Sequence, residues 1–401
     1  MTTLGIGRRA MLGAAAVLGG AALPRRARAA TETVRIGVLT DESGPYRDSG
    51  GAGSILAARM AAQDAGGSVL GRTIEIVHAD TQNKPDVAAG IARQWYDAGV
   101  DAITDLPVTP VAAAVQQIAR EKRRTVMITA SAVTAFTAKW CSPVSSHWAD
   151  DTHAMASASG ALLTRAGGTK WFFITVDFSF GHRLQAEATQ VIGANGGTVV
   201  GTAPFPLGNA DFSSQIIAAQ GSGANIIGLV SVGNDQVNLI KQAAEFGLAR
   251  NGAQLAAFLV YITDIHALGL AAASGLTFAA SYYWDQNDAA RAFAHRFAAA
   301  QQAMPTKNQA SVYAATRHFL KAMAASGTRD ADTVNRAMRA SPVAFFGRPA
   351  TLREDGRLLY DLPLWRVKSP ADSHGPWDDY TQIGTLPAAE AFLPMAAACA
   401  A

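Results

Sequence analysis

The chain reads as an α/β protein with two successive series of strand–helix units, each able to form its own doubly wound, mostly parallel sheet. Three observations lead there. Across residues 34–129, short β-rich apolar runs alternate with helical-period stretches of roughly 10–15 residues, the rhythm of βα units. After a break, the same rhythm restarts at residue 171 and continues to 281. Glycines punctuate the ends of the helical stretches, at Gly66-Gly67, Gly99, Gly167-Gly168, Gly196-Gly197 and Gly247, where a chain leaving a helix needs a left-handed residue.

The first element is a leader. Arg8 and Arg9 are followed by an apolar run from Ala10 to Leu23, then by Arg25, Arg26 and Arg28, then by the small-x-small sequence Ala27-Arg28-Ala29. The apolar run is shorter than the ~20 residues a membrane span needs, so residues 1–29 read as an export signal cleaved near Ala29. The paired arginines resemble a twin-arginine signal with Met11 in place of the usual Phe. An ordinary Sec signal is the alternative. No cysteine stands at the cleavage point to carry a lipid.

In the first series, 34–39 reads as a buried strand and 49–64 as the helix ending at Gly66-Gly67. A strand follows at 73–79, a helix at 84–98, a strand at 102–105, a helix at 110–121 and a strand at 125–129. Glu121-Lys122-Arg123-Arg124 closes the 110–121 helix, where cations complement the helix dipole. The second series has strands at 171–176, 198–203, 225–230, 255–260 and 276–281. Its helices lie at 180–194, 212–220 and 235–246. Three further helices follow at 289–303, 308–326 and 330–339, then strand-like runs at 350–352 and 359–367. Residues 368–380, rich in Pro, Asp, Ser and Gly, read as a loop.

The leader holds five arginines and no acid, so the net charge of +3 becomes about −2 once it is removed (3 − 5). That balance gives no general argument for nucleic acid or anionic membrane as a partner. Some 370 remaining residues suffice for two core-bearing domains. Export would place Cys141 and Cys399 in an oxidising compartment, where the choice is one bridge or two free thiols. The bridge is favoured, and its very long loop would be worth about 4–5 kcal/mol on the chain-entropy argument.

Enzyme signatures are weak. Gly51-Ala-Gly53 precedes a helix, but Leu56 takes the place of the third glycine of a dinucleotide fingerprint. No Walker loop or Gly-x-Ser-x-Gly elbow occurs. His147-Trp-Ala-Asp-Asp-Thr-His153 gathers two His and two Asp, but its spacing fits no standard zinc pattern, and hydrogen-bonded loop residues are the plainer reading. No catalytic residue, metal or cofactor is expected.

Several segments, in order, carry a resemblance. They are Arg35-Ile-Gly-Val-Leu-Thr-Asp-Glu-Ser-Gly-Pro-Tyr46, the Ala57–Gly67 stretch with its closing Gly-Gly, Met127-Ile-Thr-Ala-Ser-Ala-Val-Thr134, Phe178-Ser-Phe-Gly181, and Gly233-Asn-Asp-Gln-Val-Asn-Leu-Ile-Lys-Gln-Ala243. Together, behind an export signal, they resemble the type I periplasmic solute-binding proteins, the leucine/isoleucine/valine-binding group that serves ABC importers. The resemblance runs from about Thr31 to Ala401. It implies two lobes joined by a three-stranded hinge: residues 30–150 with 282–348 in lobe 1, and 151–281 with 349–401 in lobe 2. It also implies a monomer that captures a small-molecule ligand and delivers it to a membrane permease.

In that frame the ligand site lies at the carboxyl ends of both sheets. Thr109, at the start of a helix, and the small-residue loop Ser131-Ala132-Val133 can offer hydroxyl and backbone N–H groups to a carboxylate. Tyr46, Trp148, Phe180 and Tyr261 are candidates for the apolar wall. Phe180 stands where the family often has Tyr. Val133 stands near a position where the family has a hydroxyl, so the hold on an amino group is open to question. Asp264 or Asp235 is the acid that could receive one, with an N-cap role as the alternative for Asp264. The ligand classes left open are a branched-chain or other amino acid, an aromatic acid, or an amide or urea.

Overall fold

A computed structural model describes residues 33–399. The export signal at 1–29, with Arg8 and Arg9, lies outside the described residues. Two large sheets organise the rest. The first has the strand order Ser68–Val69, Arg72–Asp80, Val34–Thr40, Ala102–Asp105, Thr125–Ile128, Ser145–His147, all parallel except the Ser68–Val69 edge. The second runs Tyr380–Leu386, Leu362–Val367, Thr277–Ala279, Gln254–Ala257, Ile226–Val230, Lys170–Val176, Thr198–Phe205. Its two late strands join through antiparallel pairings, and the others pair in parallel.

Burial on both faces explains why the central strands read as continuous apolar runs rather than alternating ones. In the first sheet, Ile36, Val38, Ala102 and Met127 belong to one core, and Leu39, Ile103, Val126 and Ile128 to another. The second core is completed by Val111, Val115 and Ile118 of the Thr109–Lys122 helix. In the second sheet, Trp171 and Phe173 face one core while Phe172, Ile174 and Val176 face the other.

The chain passes between the two sheets three times. After Ser145–His147 it enters the helix Thr152–Arg165 and the second sheet. After Thr277–Ala279 it returns: the helix Lys307–Ser326 packs against Gly51–Asp64, and Arg329 grips Asp101 with two hydrogen bonds of 2.8 and 3.0 Å. A small antiparallel sheet of Val343–Phe345, Arg348–Leu352 and Leu358–Leu359 precedes the third passage into Leu362–Val367.

The passages are bound to one another. The isolated pairing of His147 with Arg357 joins the first to the third. Asp150 accepts from the Ser281 N–H (3.1 Å) and the Tyr360 hydroxyl (2.6 Å), touching all three. Arg348 donates to the Ser281 carbonyl.

Several elements depart from expectation. The break before residue 171 holds a helix, Thr152–Arg165, whose Ala- and Ser-rich sequence has little polar–apolar contrast because almost every residue is buried. Ser145–His147 is an edge strand made of polar residues, which no apolar run announces. Tyr380–Leu386 emerges from the expected loop and forms the outer strand of the second sheet. The bridge is present: Cys141 and Cys399 are joined, with Cα atoms 6.0 Å apart.

Candidate functional site

The parallel strands of both sheets end in loops that form two rims. On the first rim, Thr40 accepts from the Gly51 N–H (2.8 Å) and thereby fixes where the first helix begins. Asp41 gathers the next loop by accepting from the N–H groups of Gly44 (2.7 Å) and Tyr46 (2.9 Å) and from Asn83 (2.8 Å). This holds Tyr46 partly buried, and burial followed by the charge of Asp41 raises its phenol pKa.

The next strand ends in two consecutive left-handed residues, Asp105 (φ 80°) and Leu106 (φ 67°), a costly conformation for non-glycine residues. Asp105 is fully buried, and burial, with a smaller push from Asp41, outweighs the lowering effect of the Thr40 and Ser54 hydroxyls and raises its pKa to about 6. The turn aims Leu106 inward and leaves Pro107, Val108 and Thr109 partly exposed on the rim.

Thr109 is the first residue of its helix and makes no cap bond. Ser131 is 1 % exposed, and its hydroxyl donates to the Leu106 carbonyl (2.8 Å), stitching two rim loops together. Ala132 and Val133, beside it, remain partly exposed.

The helices beginning at Thr109, Ser179 and Gly233 lack a side-chain cap bond. Helices beginning at Thr152, Asp288, Lys307 and Ala331 are capped by Asp151, Asn287, Thr306 and Asp330. The helix Pro85–Asp97 likewise has no side-chain cap. At Thr109, Ser179 and Gly233, which begin helices at the carboxyl ends of sheet strands, uncovered N–H groups suit an anionic group.

Phe180 is partly exposed in the first turn of Ser179–Ala194, its ring 6.0 Å from that of Phe178. Tyr261 precedes Ile262–Leu268, and its hydroxyl accepts from Asn308 of the returning segment (3.2 Å). Tyr261, not Asp264, is the N-cap; Asp264 stands in the first turn and reaches back to accept from the Tyr261 N–H (2.9 Å), which corrects the expected N-cap role. Burial and then Asp48 raise the Asp264 pKa to about 6, against the lowering effect of the Tyr261 N–H and Lys307. Tyr261 is raised well above the ordinary phenol value, chiefly by burial, with Asp264 and Tyr46 adding to it. Tyr46 and Asp48 of the first rim and Tyr261 and Asp264 of the second thus lie within electrostatic reach of each other. A second link is direct: Arg183 donates to the Thr134 hydroxyl (3.1 Å).

Of two further expected site residues, one is placed in the core and the other is taken up by a neighbouring loop. Trp148 is fully buried; its indole N–H donates to Ser146 (2.8 Å) and its ring lies 5.7 Å from His318, so it is core, not an apolar wall. Asp235 is 7 % exposed and accepts from the Gly208 N–H (2.7 Å), which ties it to a loop of its own sheet. The His147–His153 cluster is consumed by the passages. The His147 Nε2–H donates to the Ser131 carbonyl (2.7 Å) and its Nδ1 accepts from Arg357 (2.9 Å), so both ring nitrogens are engaged. Burial and Arg357 hold His147 well below its ordinary pKa. Asp151 pairs with Arg357 (3.3 Å) and caps its helix through the Ala154 N–H (2.8 Å).

Sequence reasoning missed Lys307, Asn308, Arg183 and Asp48. Lys307 is 6 % exposed, pairs with Asp150 (3.0 Å) and lies 5.7 Å from the Tyr261 ring centre. Asp150 is lowered despite burial, because Lys307, Tyr360 and Ser281 outweigh the loss of water. No local pattern marks Lys307 and Asn308, since their partners Asp150 and Tyr261 lie far along the chain.

Residues 33–374 match the family described as periplasmic binding protein. A periplasmic binding protein from Burkholderia mallei is 40% identical, with 90% of this chain and 96% of that chain covered and a TM-score of 0.84. A branched chain amino acid ABC transporter periplasmic ligand-binding protein from Burkholderia xenovorans LB400 is 36% identical, with 92% and 100% covered and a TM-score of 0.86. An ABC transporter solute binding protein from R. palustris, solved with benzoate, shares the fold at 22% identity, with 89% and 97% covered and a TM-score of 0.77. No curated protein matches the chain.

Proposed function

The chain belongs to the periplasmic binding protein family, and from that premise we propose that it captures a small carboxylate-bearing solute between two lobes and hands it to an ABC permease, performing no chemistry on it. The observation that carries this reading is the meeting of two sheet rims: Tyr46 and Asp48 from one, Tyr261 and Asp264 from the other. The lobes are taken as 30–150 with 282–348 and 151–281 with 349–401. The protein works as an exported monomer whose leader is removed near Ala29.

Within this reading, N–H groups near Thr109 and in the Ser131–Val133 loop take the carboxylate, and Tyr46, Phe180 and Tyr261 cover the apolar body. The ligand is an amino acid with an apolar side chain, its ammonium group received by Asp264. The favoured class follows from two carboxylates within electrostatic reach, Asp48 and Asp264, since a buried acid beside a second acid favours a cation between them; burial first and Asp48 second raise Asp264. The 36%-identical neighbour named as a branched chain amino acid binder supports the same class. A specific observation keeps an aromatic acid as second reading: one Asp264 oxygen is already committed to the Tyr261 N–H.

A thermal-shift screen of leucine, 4-hydroxybenzoate, an aliphatic amide and urea separates the classes, followed by calorimetry on Asp264→Asn. Leucine binding that drops at least about 10-fold in Asp264→Asn supports the amino-acid reading, since a charge-assisted hydrogen bond is worth roughly 1.5–3 kcal/mol. Binding of 4-hydroxybenzoate alone, unchanged in the variant, selects the aromatic acid. Turnover of any added solute would end the binding-protein reading.

A further inference from the structure

We propose that the C-terminal tail is a fourth, covalent connection between the two sheets, a strap that limits how far they separate. The tail leaves the second sheet as the strand Tyr380–Leu386. It then packs beside that sheet's own helix, where Glu390 pairs with Arg165 of Thr152–Arg165 (2.7 Å). It next crosses the passages. Phe392 is 4 % exposed, its ring 5.1 Å from Tyr360 and its centre 4.5 Å from the Arg357 guanidinium, and the Leu393 carbonyl accepts from Arg353 (2.8 Å). It ends on the first sheet's side, bonded through Cys399 to Cys141, which lies between the Thr134–Thr137 turn and the edge strand Ser145–His147.

The three backbone passages are held to one another by hydrogen bonds and ion pairs that can exchange for water. The strap's far end is fixed instead by a disulfide, which cannot. Residues 394–398 between Leu393 and Cys399 span at most about 20 Å when fully extended, so slack is limited. A strap of this kind removes the most open arrangements from the ensemble and leaves the closed one untouched, whatever solute the cleft receives.

The test compares the oxidised protein with Cys141→Ser/Cys399→Ser, both without solute, by amide hydrogen exchange and solution scattering. Exchange is expected to quicken at least about 10-fold at the passage amides of Trp148, Thr152 and Ser281, with Ile36 and Ile227 in the sheet centres unchanged, and the radius of gyration is expected to rise. Wild-type protein folded first, then reduced and alkylated, repeats the comparison without relying on the variant to fold. Unchanged passage amides and an unchanged radius would overturn the proposal. So would faster exchange spread evenly over passages and sheet centres, which marks a bond that only stabilises the whole fold.

Discussion

At Asp105 a single carboxyl group carries both backbone and electrostatic cost. Its φ of 80° and its burial, which outweighs the nearby Thr40 and Ser54 hydroxyls, make it a strained, buried acid. Its folded pKa, about 6, lies above the ordinary value of 3.8, so the folded chain holds the proton more tightly than the unfolded one. The group costs nothing below about pH 4, the cost grows as pH rises toward 6, and it levels at about 3 kcal/mol above that. Asp105→Asn, which tolerates the left-handed backbone, is expected to gain stability over wild type as pH rises from 4 to 7 in urea unfolding. A pH-independent difference would show that the carboxyl is not the titrating group.

Two aromatic residues separate at the same scale. Trp148→Ala is expected to cost about 3–5 kcal/mol, because it empties a packed interior site. Phe180→Ala, on a partly exposed rim, is expected to leave unfolding nearly unchanged and weaken solute binding. Chemical unfolding and calorimetry on both variants distinguish them. Sequence alone could not separate the pair, since both stand near strand ends. What differs is that the Trp148 ring turns back onto His318, whereas Phe180 starts a helix at the rim.

Among the elements, legibility followed burial pattern. Strands buried on both faces, such as Ile226–Val230, announce themselves as apolar runs. The helix Thr152–Arg165, buried nearly all round with small residues, carries no amphipathic stripe and was invisible. Ser145–His147 was hidden because its residues are polar and its partners, Thr125–Ile128 and Arg357, are supplied from elsewhere. The start of Lys307–Ser326 shows how an element is pinned to a distant loop. The Thr306 hydroxyl donates to the Ser49 carbonyl (2.7 Å) and accepts from the Gln309 N–H (3.3 Å), while Gln309 accepts from the Thr306 N–H (2.9 Å). Thr306→Ala is expected to cost about 1–2 kcal/mol, a cap plus one buried hydrogen bond. Urea unfolding with a change below about 0.3 kcal/mol would show that the cap is dispensable.

For the whole molecule, the binding reading predicts compaction. A compact chain of about 370 residues has a radius of gyration near 21 Å, and two parted lobes lie above that value. Scattering is expected to move toward it when a binding solute is added, with a mass that remains monomeric. No compaction with any solute that binds would contradict capture between lobes.

The sequence by itself determined the α/β class, the two series of units, the family and most rim loops, because periodicity, glycine punctuation and short motifs are local properties of a chain. Tertiary structure alone decided that Trp148 packs into the core, that Asp235 is taken up by the loop at Gly208, that His147, Asp150 and Asp151 serve the passages, and that Lys307 and Asn308 reach Tyr261. Those outcomes depend on which distant groups meet a side chain once it is buried. A buried polar group must find its partner wherever the fold supplies one, and nothing within a few residues of it records where that is.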